Sequence, residues 1–241
     1  MFETELDIQT PDGTMSTFIT CPDEGGPFPV IMFLMDAPAK REELHDMARR
    51  IATVGYYVML PNLYYRRTKD FVMDASPATR TVMFEHMNSL TNAMVVADCR
   101  ALLQTADADP QARGGPCGVV GYCMSGSFVF TAAAQLSDRV RASASIYGVR
   151  LLTEAADSPH LIANQIKGEI YFACAEFDDW APPAMIDELD QYLAATGINY
   201  RIEWYPGAHH GFAFPGRGTI YDKPSAERHW QRLFALFKRN L

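Results

Sequence analysis

Three short segments of this chain carry residue types that do nucleophilic chemistry together. The first is Gly121-Tyr122-Cys123-Met124-Ser125-Gly126. Its pattern is small–x–nucleophile–x–small. A strand that turns sharply into a helix needs small neighbours two positions either side of the apex, and it presents the apical side chain outward. A helix N-terminus behind a cysteine also favours thiolate over thiol. The second segment, Glu176-Phe177-Asp178-Asp179-Trp180-Ala181-Pro182, offers two aspartates able to orient a histidine. The third, Pro206-Gly207-Ala208-His209-His210-Gly211-Phe212, offers two imidazoles in a glycine-flanked loop. Each segment has a plainer reading alone. Free cysteines are mostly small buried hydrophobes, aspartates cap helices and turns, and loop histidines face solvent. Residue chemistry alone separates neither Asp178 from Asp179 nor His209 from His210.

The elements around these segments decide how much the coincidence weighs. Residues 2–9 and 15–21 flank Pro11-Asp12-Gly13, which is turn chemistry, and predict an N-terminal hairpin. Residues 29–35 read as a buried strand. Leu44, Met47, Ala48 and Ile51 fall at helical spacing and predict a helix over 41–54, stopped by Gly55. A strand over 56–60 ends at Pro61, and 79–105 reads as helix in one or two pieces. Strands follow at 118–122, 142–147, 169–175 and 200–205. Helices are expected at 125–136, 182–196 and 223–241. Apolar strands alternating with helices predict an α/β fold with a mainly parallel sheet and helices on both faces. With no repeat or linker, the chain reads as one domain, residues 1–241. In such sheets chemistry collects in the loops after the strands.

Cys123, Asp178 and His210 each follow a separate predicted strand, in the order nucleophile, acid, base. That is the order of an α/β-hydrolase triad. Here the chain resembles the dienelactone hydrolase family, from the strand near Val30 to the closing helix. The elbow is similar to the family's G-Y-C-x-G-G. Residues 175–182 resemble its G-x-x-D-x-x-V-P, which selects Asp178 as the acid. Residues 205–212 resemble its Y-x-x-A-x-H-x-F, which selects His210. Tyr147-Gly148 matches a Y-G pair, and Pro61-Asn62-Leu63-Tyr64 resembles P-D-L-Y.

The resemblance implies a Cys-His-Asp hydrolase of esters or lactones that works through an acyl-thioester. The amides of Met124 and Ala37 are then the expected oxyanion donors, and no metal or organic cofactor is needed. Two departures stand out. Where the family carries Glu-Ile-Phe-Gly, this chain has Asp36-Ala37-Pro38-Ala39, which makes Asp36 a shortened candidate for gating the thiol. Where dienelactone-cleaving members carry a carboxylate-binding arginine after the histidine, this chain has Phe214. Tyr64, Trp180 and Phe214 are candidate substrate contacts. Tyr65, Phe84 and Phe212 add aromatic character, and Arg66, Arg67 and Arg80 are alternative cations. Residues 66–80 are weighed as a lid.

Composition bounds the remainder. Twenty-one Lys and Arg against 29 Asp and Glu leave a net charge of −8, which gives no argument for nucleic acid or an anionic membrane as partner. The longest clean apolar run, residues 30–35, is far short of the roughly 18 residues of a membrane span. The N-terminus does not read as a signal peptide, and five cysteines without a CxxC pair favour reduced thiols in a cytoplasmic setting. The partner expected is a small ester or lactone. A general carboxylesterase or thioesterase acting on a neutral acyl group uses the same triad, and a non-catalytic protein can keep the fold. A dinucleotide enzyme is disfavoured because G-x-G-x-x-G is not met, and a metal hydrolase because no ligand spacing occurs.

Overall fold

The computed structural model describes residues 1–74 and 76–241; Ala75, inside the 66–80 segment, lies outside the described residues. Two compact units divide the chain, Met1–Cys117 and Gly118–Leu241.

In the first unit, β1 (Phe2–Thr10) and β2 (Gly13–Cys21) form the expected antiparallel hairpin. Thr10 pairs with Gly13 across a two-residue loop of Pro11 and Asp12. β3 (Phe28–Leu34) and β4 (Tyr57–Pro61) are parallel and joined by α1 (Glu42–Ala52). The strand order is β1-β2-β4-β3. α1 buries Leu44, Met47, Ala48 and Ile51, the residues whose spacing predicted it, and packs on β2 and β4. The long helical stretch is two helices, α2 (Pro77–Asn88) and α3 (Asn92–Asp107). Each starts at a hydroxyl cap, Ser76 accepting from the Thr79 amide and Thr91 from the Met94 amide, and the second cap marks the break between them.

β5 (Ala112–Tyr122) enters the second unit and leads into α4 (Ser125–Gln135). β6 (Val140–Ile146), β7 (Glu169–Phe177), α5 (Pro183–Ala194), β8 (Asn199–His209) and α6 (Lys223–Asn240) follow. The order there is β5-β6-β7-β8. β6, β7 and β8 are mutually parallel. Right-handed parallel connections require helices as crossovers. α4 packs on β6, α5 on β7, and α6 on β6 and β7. Two short 3-10 turns, Pro159–Gln165 and Pro215–Ile220, are absent from the sequence expectation because they carry no apolar period. No helix of the described residues is long and apolar enough to cross a membrane.

Candidate active site

Cys123 is the apex of the turn from β5 into α4, at φ +55°. A non-glycine residue in the left-handed region costs on the order of 1–3 kcal/mol and persists only where surroundings hold it. Three backbone hydrogen bonds do so here. The Cys123 amide donates to the Ile146 carbonyl (3.1 Å), and its carbonyl accepts from Gly126 (3.1 Å) and Val149 (3.0 Å). The small residues of the motif are steric requirements. A side-chain carbon at Gly121 would lie 2.8 Å from both Ser125 Cβ and Val129 Cγ2. One at Gly126 would lie 2.3 Å from the Gly148 Cα. Hence α4 can start against the loop after β6 only because neither glycine carries a side chain.

Asp178 sits one residue past β7, buried. Its Oδ1 accepts from the amides of Trp180 and Ala181, each at 2.9 Å, and its Oδ2 lies 2.8 Å from His210 Nδ1. Asp179 is exposed and makes no such contact. The choice of His210 over His209 has a backbone cause. β7 and β8 pair as Ala175–Tyr205 and then Phe177–His209, so β8 carries two extra residues between those pairs. Gly207, at φ +76°, absorbs the irregularity, and its amide donates to Glu176 Oε2 at 2.6 Å. His209 therefore pairs in the strand with its ring against Phe177, centroids 5.2 Å apart, and His210 turns toward Asp178. β8 thus runs to His209, four residues beyond the expected end at 205.

The His210 Nε2 is buried and forms no hydrogen bond within the usual limits of distance and angle. Burial works against the imidazolium, but its bond to Asp178 and the nearby Cys123 thiol outweigh it. The His210 pKa is pushed up to about 9. Tyr147, at φ +37° with its amide donating to the Ala173 carbonyl (2.7 Å), packs edge-on with the imidazole, centroids 5.1 Å apart. The sequence shows Tyr147 only as part of a motif match, since a contact from β6 to the end of β8 leaves no local pattern.

Phe214 shows no solvent-accessible surface, so it is packing rather than a substrate contact in this structure. Its ring lies 5.3 Å from Tyr122 and 6.1 Å from Tyr147. Phe212 is likewise buried, stacked on Tyr205 at 4.8 Å. Trp180 is half exposed on the turn that Asp178 caps. A cation the sequence reading passed over, Arg217, lies over the Phe214 ring at 5.5 Å, and its Nη1 would sit 3.6 Å from a side-chain carbon at Gly211. The 3-10 turn after Pro215 brings it back toward the histidine segment.

In the first unit, Asp36 is fully buried and its carboxylate is met by Arg41, Nη1 to Oδ1 at 2.5 Å and Nη2 to Oδ2 at 3.3 Å. Burial disfavours the Arg41 charge, yet Asp36 and Glu43 outweigh that and hold the guanidinium protonated. Asp36, the expected thiol gate, is therefore a buried carboxylate forked by a guanidinium. Arg41 also bonds the Ala39 carbonyl (3.1 Å), where Ala39 stands at φ +74°. The Tyr64 hydroxyl donates to the Ala37 carbonyl (2.9 Å), and Tyr64 is buried. Tyr64 is therefore a tether of the 36–39 turn. Arg66 forks the buried Asp98, both bonds 2.8 Å, and Arg67 donates to His86 Nδ1 (3.1 Å), so both alternative cations are engaged. Arg80 lies over the Phe84 ring at 5.8 Å.

Breaking a buried ion pair from one side leaves an uncompensated charge, which costs about 3 kcal/mol or more. Arg41→Met is therefore expected to lower unfolding free energy by about 3 kcal/mol, read from urea midpoints at pH 7. A loss below about 0.5 kcal/mol would show that Asp36 does not depend on Arg41.

Strands of this order with helical crossovers, and a sharp turn from β5 into α4 at Cys123, define an α/β-hydrolase fold. Residues 15–241 match the dienelactone hydrolase family, and the chain belongs to that family. It is 26% identical over 219 residues to a Synechocystis protein named "Putative carboxymethylenebutenolidase", covering 90% of this chain and 88% of that one. A protein of the same name from Methylorubrum extorquens is 28% identical over 241 residues, covering 98% of this chain and 80% of the other. The fold also matches the crystal structure of a Klebsiella pneumoniae protein named "Putative Dienelactone Hydrolase". That match has a TM-score of 0.85, 23% identity and 98% coverage of both chains. The chain is a dienelactone hydrolase-like enzyme.

Proposed function

We propose that the enzyme cleaves an ester or lactone through a Cys123-His210-Asp178 triad and an acyl-thioester. The observation that carries this reading is the His210 imidazole, whose Nδ1 lies 2.8 Å from the carboxylate of buried Asp178, and whose pKa that bond and the Cys123 thiol push up to about 9 against the cost of burial. A positive imidazole is the counter-ion a thiolate nucleophile needs. The thiolate attacks the carbonyl carbon, and the Met124 amide at the start of α4 is the oxyanion donor we assign. As the tetrahedral intermediate collapses, His210 gives its proton to the leaving oxygen. The neutral imidazole then takes a proton from water, and the resulting hydroxide attacks the thioester. Acid leaves, and thiolate and imidazolium are restored. Asp178 holds Nδ1 protonated throughout, so that Nε2 is the nitrogen that exchanges the proton.

Two substrates divide the possible scope. A neutral aryl ester needs only the triad, and buried Phe214 in place of an arginine favours it. A carboxylated enol-lactone needs a cation as well, and its cleavage, if lost in Arg217→Gln, would assign the carboxylate to Arg217. Acid quench of wild type during turnover of the aryl ester should yield protein heavier by one acyl group, on the peptide containing Cys123. Steady turnover with acyl groups only on other peptides would overturn the proposal.

A further inference from the structure

Away from the triad, the second unit carries more positive charge in one place than its buried groups require. Glu203 of β8 is buried, and three arginines converge on it. Arg201 Nη2 donates at 2.9 Å, Arg228 Nη2 at 2.5 Å and Arg232 Nε at 3.0 Å. Tyr171 of β7 adds its hydroxyl at 3.1 Å and accepts in turn from Tyr205 at 2.7 Å. The placement is regular. Arg201 lies two residues before Glu203 on β8 and so shares its face. Arg228 and Arg232 lie four apart, one above the other on α6. Arg228 is further fixed over the Tyr205 ring at 5.3 Å.

Neutralising one buried carboxylate takes one guanidinium. The next ion pair along, Arg239 with Glu169, shows that arrangement: the fork measures 2.7 and 2.5 Å, with Asn240 completing it at 2.9 Å. At Glu203 two further cations repel each other across a single shared anion, in a chain whose net charge is −8. Their side chains remain 49%, 42% and 31% exposed, and of the donors not used by Glu203 Arg232 Nη1 reaches Gln231 Oε1 at 3.3 Å. Planar forks held at fixed spacing with two uncancelled charges suit a tetrahedral dianion.

We propose that Arg201, Arg228 and Arg232 form a binding site for a phosphoryl dianion, free phosphate or a phosphate monoester, separate from the triad. The test is thermal unfolding and isothermal calorimetry with inorganic phosphate and, separately, glycerol phosphate, at constant ionic strength against acetate. The expected result is saturable stabilisation by a phosphoryl compound and none by acetate. Tighter binding of the ester would mark a phosphorylated metabolite as the source, and equal or weaker binding would mark phosphate itself. The Arg228→Gln/Arg232→Gln double variant should bind at least tenfold more weakly, whereas Lys238→Gln, which removes an exposed cation elsewhere on α6, should bind as wild type. Arg201→Gln, which breaks only one exposed contact, serves if the double variant does not fold, and should weaken binding severalfold. Equal effects of acetate and phosphate, or unchanged binding in the folded arginine variants, would overturn the proposal.

Discussion

Cys123→Ala is expected to lose turnover by about 10⁴-fold or more, the scale seen when a catalytic nucleophile is removed from a triad. Fold stability should hardly change. The thiol is part-exposed, and the bonds that hold the elbow are backbone bonds to Ile146, Gly126 and Val149. The measurement is initial rate on a neutral aryl ester, with an unfolding curve for each protein. A variant that keeps a tenth of wild-type rate would end the Cys123 mechanism. Cys123→Ser is not a rescue. A serine hydroxyl is a far weaker acid than a thiol, so His210 must take its proton as the bond to the carbonyl forms. A thiolate paired with imidazolium needs no base for its first step, so the geometry favours sulfur over oxygen.

The strands and helices were largely readable because buried strands and amphipathic helices write their periods into the sequence. The hairpin at Pro11-Asp12, α1 with its four apolar residues and the elbow glycines all rest on local rules of turn and spacing. What stayed hidden depends on contacts between distant segments. Phe214 looked like a substrate contact by position, yet it packs against Tyr122 and Tyr147 from β5 and the end of β6. The pairing of Asp36 with Arg41 leaves no motif either, because that side chain folds back from the start of α1. The irregular β7–β8 pairing that separates the roles of His209 and His210 arises at Gly207, and its signal in the sequence was a single glycine. The arginines around Glu203 come from β8 and α6, some 27 or more residues apart, and no motif links them.

Asp178→Asn tests the acid and the electrostatics together. The amide has nearly the shape of the carboxylate, and its oxygen can still accept from the Trp180 and Ala181 amides, as Oδ1 does now. Its nitrogen then faces His210 Nδ1, where Oδ2 stood at 2.8 Å. Two donors cannot share that contact, so Nδ1 must become the acceptor, and the ring then carries its proton on Nε2. Neutral imidazole in that tautomer can neither pair with a thiolate as a cation nor take a proton from water at Nε2. A loss of about 10⁴-fold in kcat is expected, as for the equivalent change in other triads. The same variant must also change the titration of the imidazole itself. In the wild type the bond to Asp178 is the strongest of the influences that push the His210 pKa up, to about 9 against the cost of burial. Removing it should bring that pKa down, read from the His210 ring-proton shifts against pH in the wild type and in Asp178→Asn. An unchanged His210 titration would mean that Asp178 does not hold the imidazole proton, and the low kcat would then need a cause other than the imidazolium.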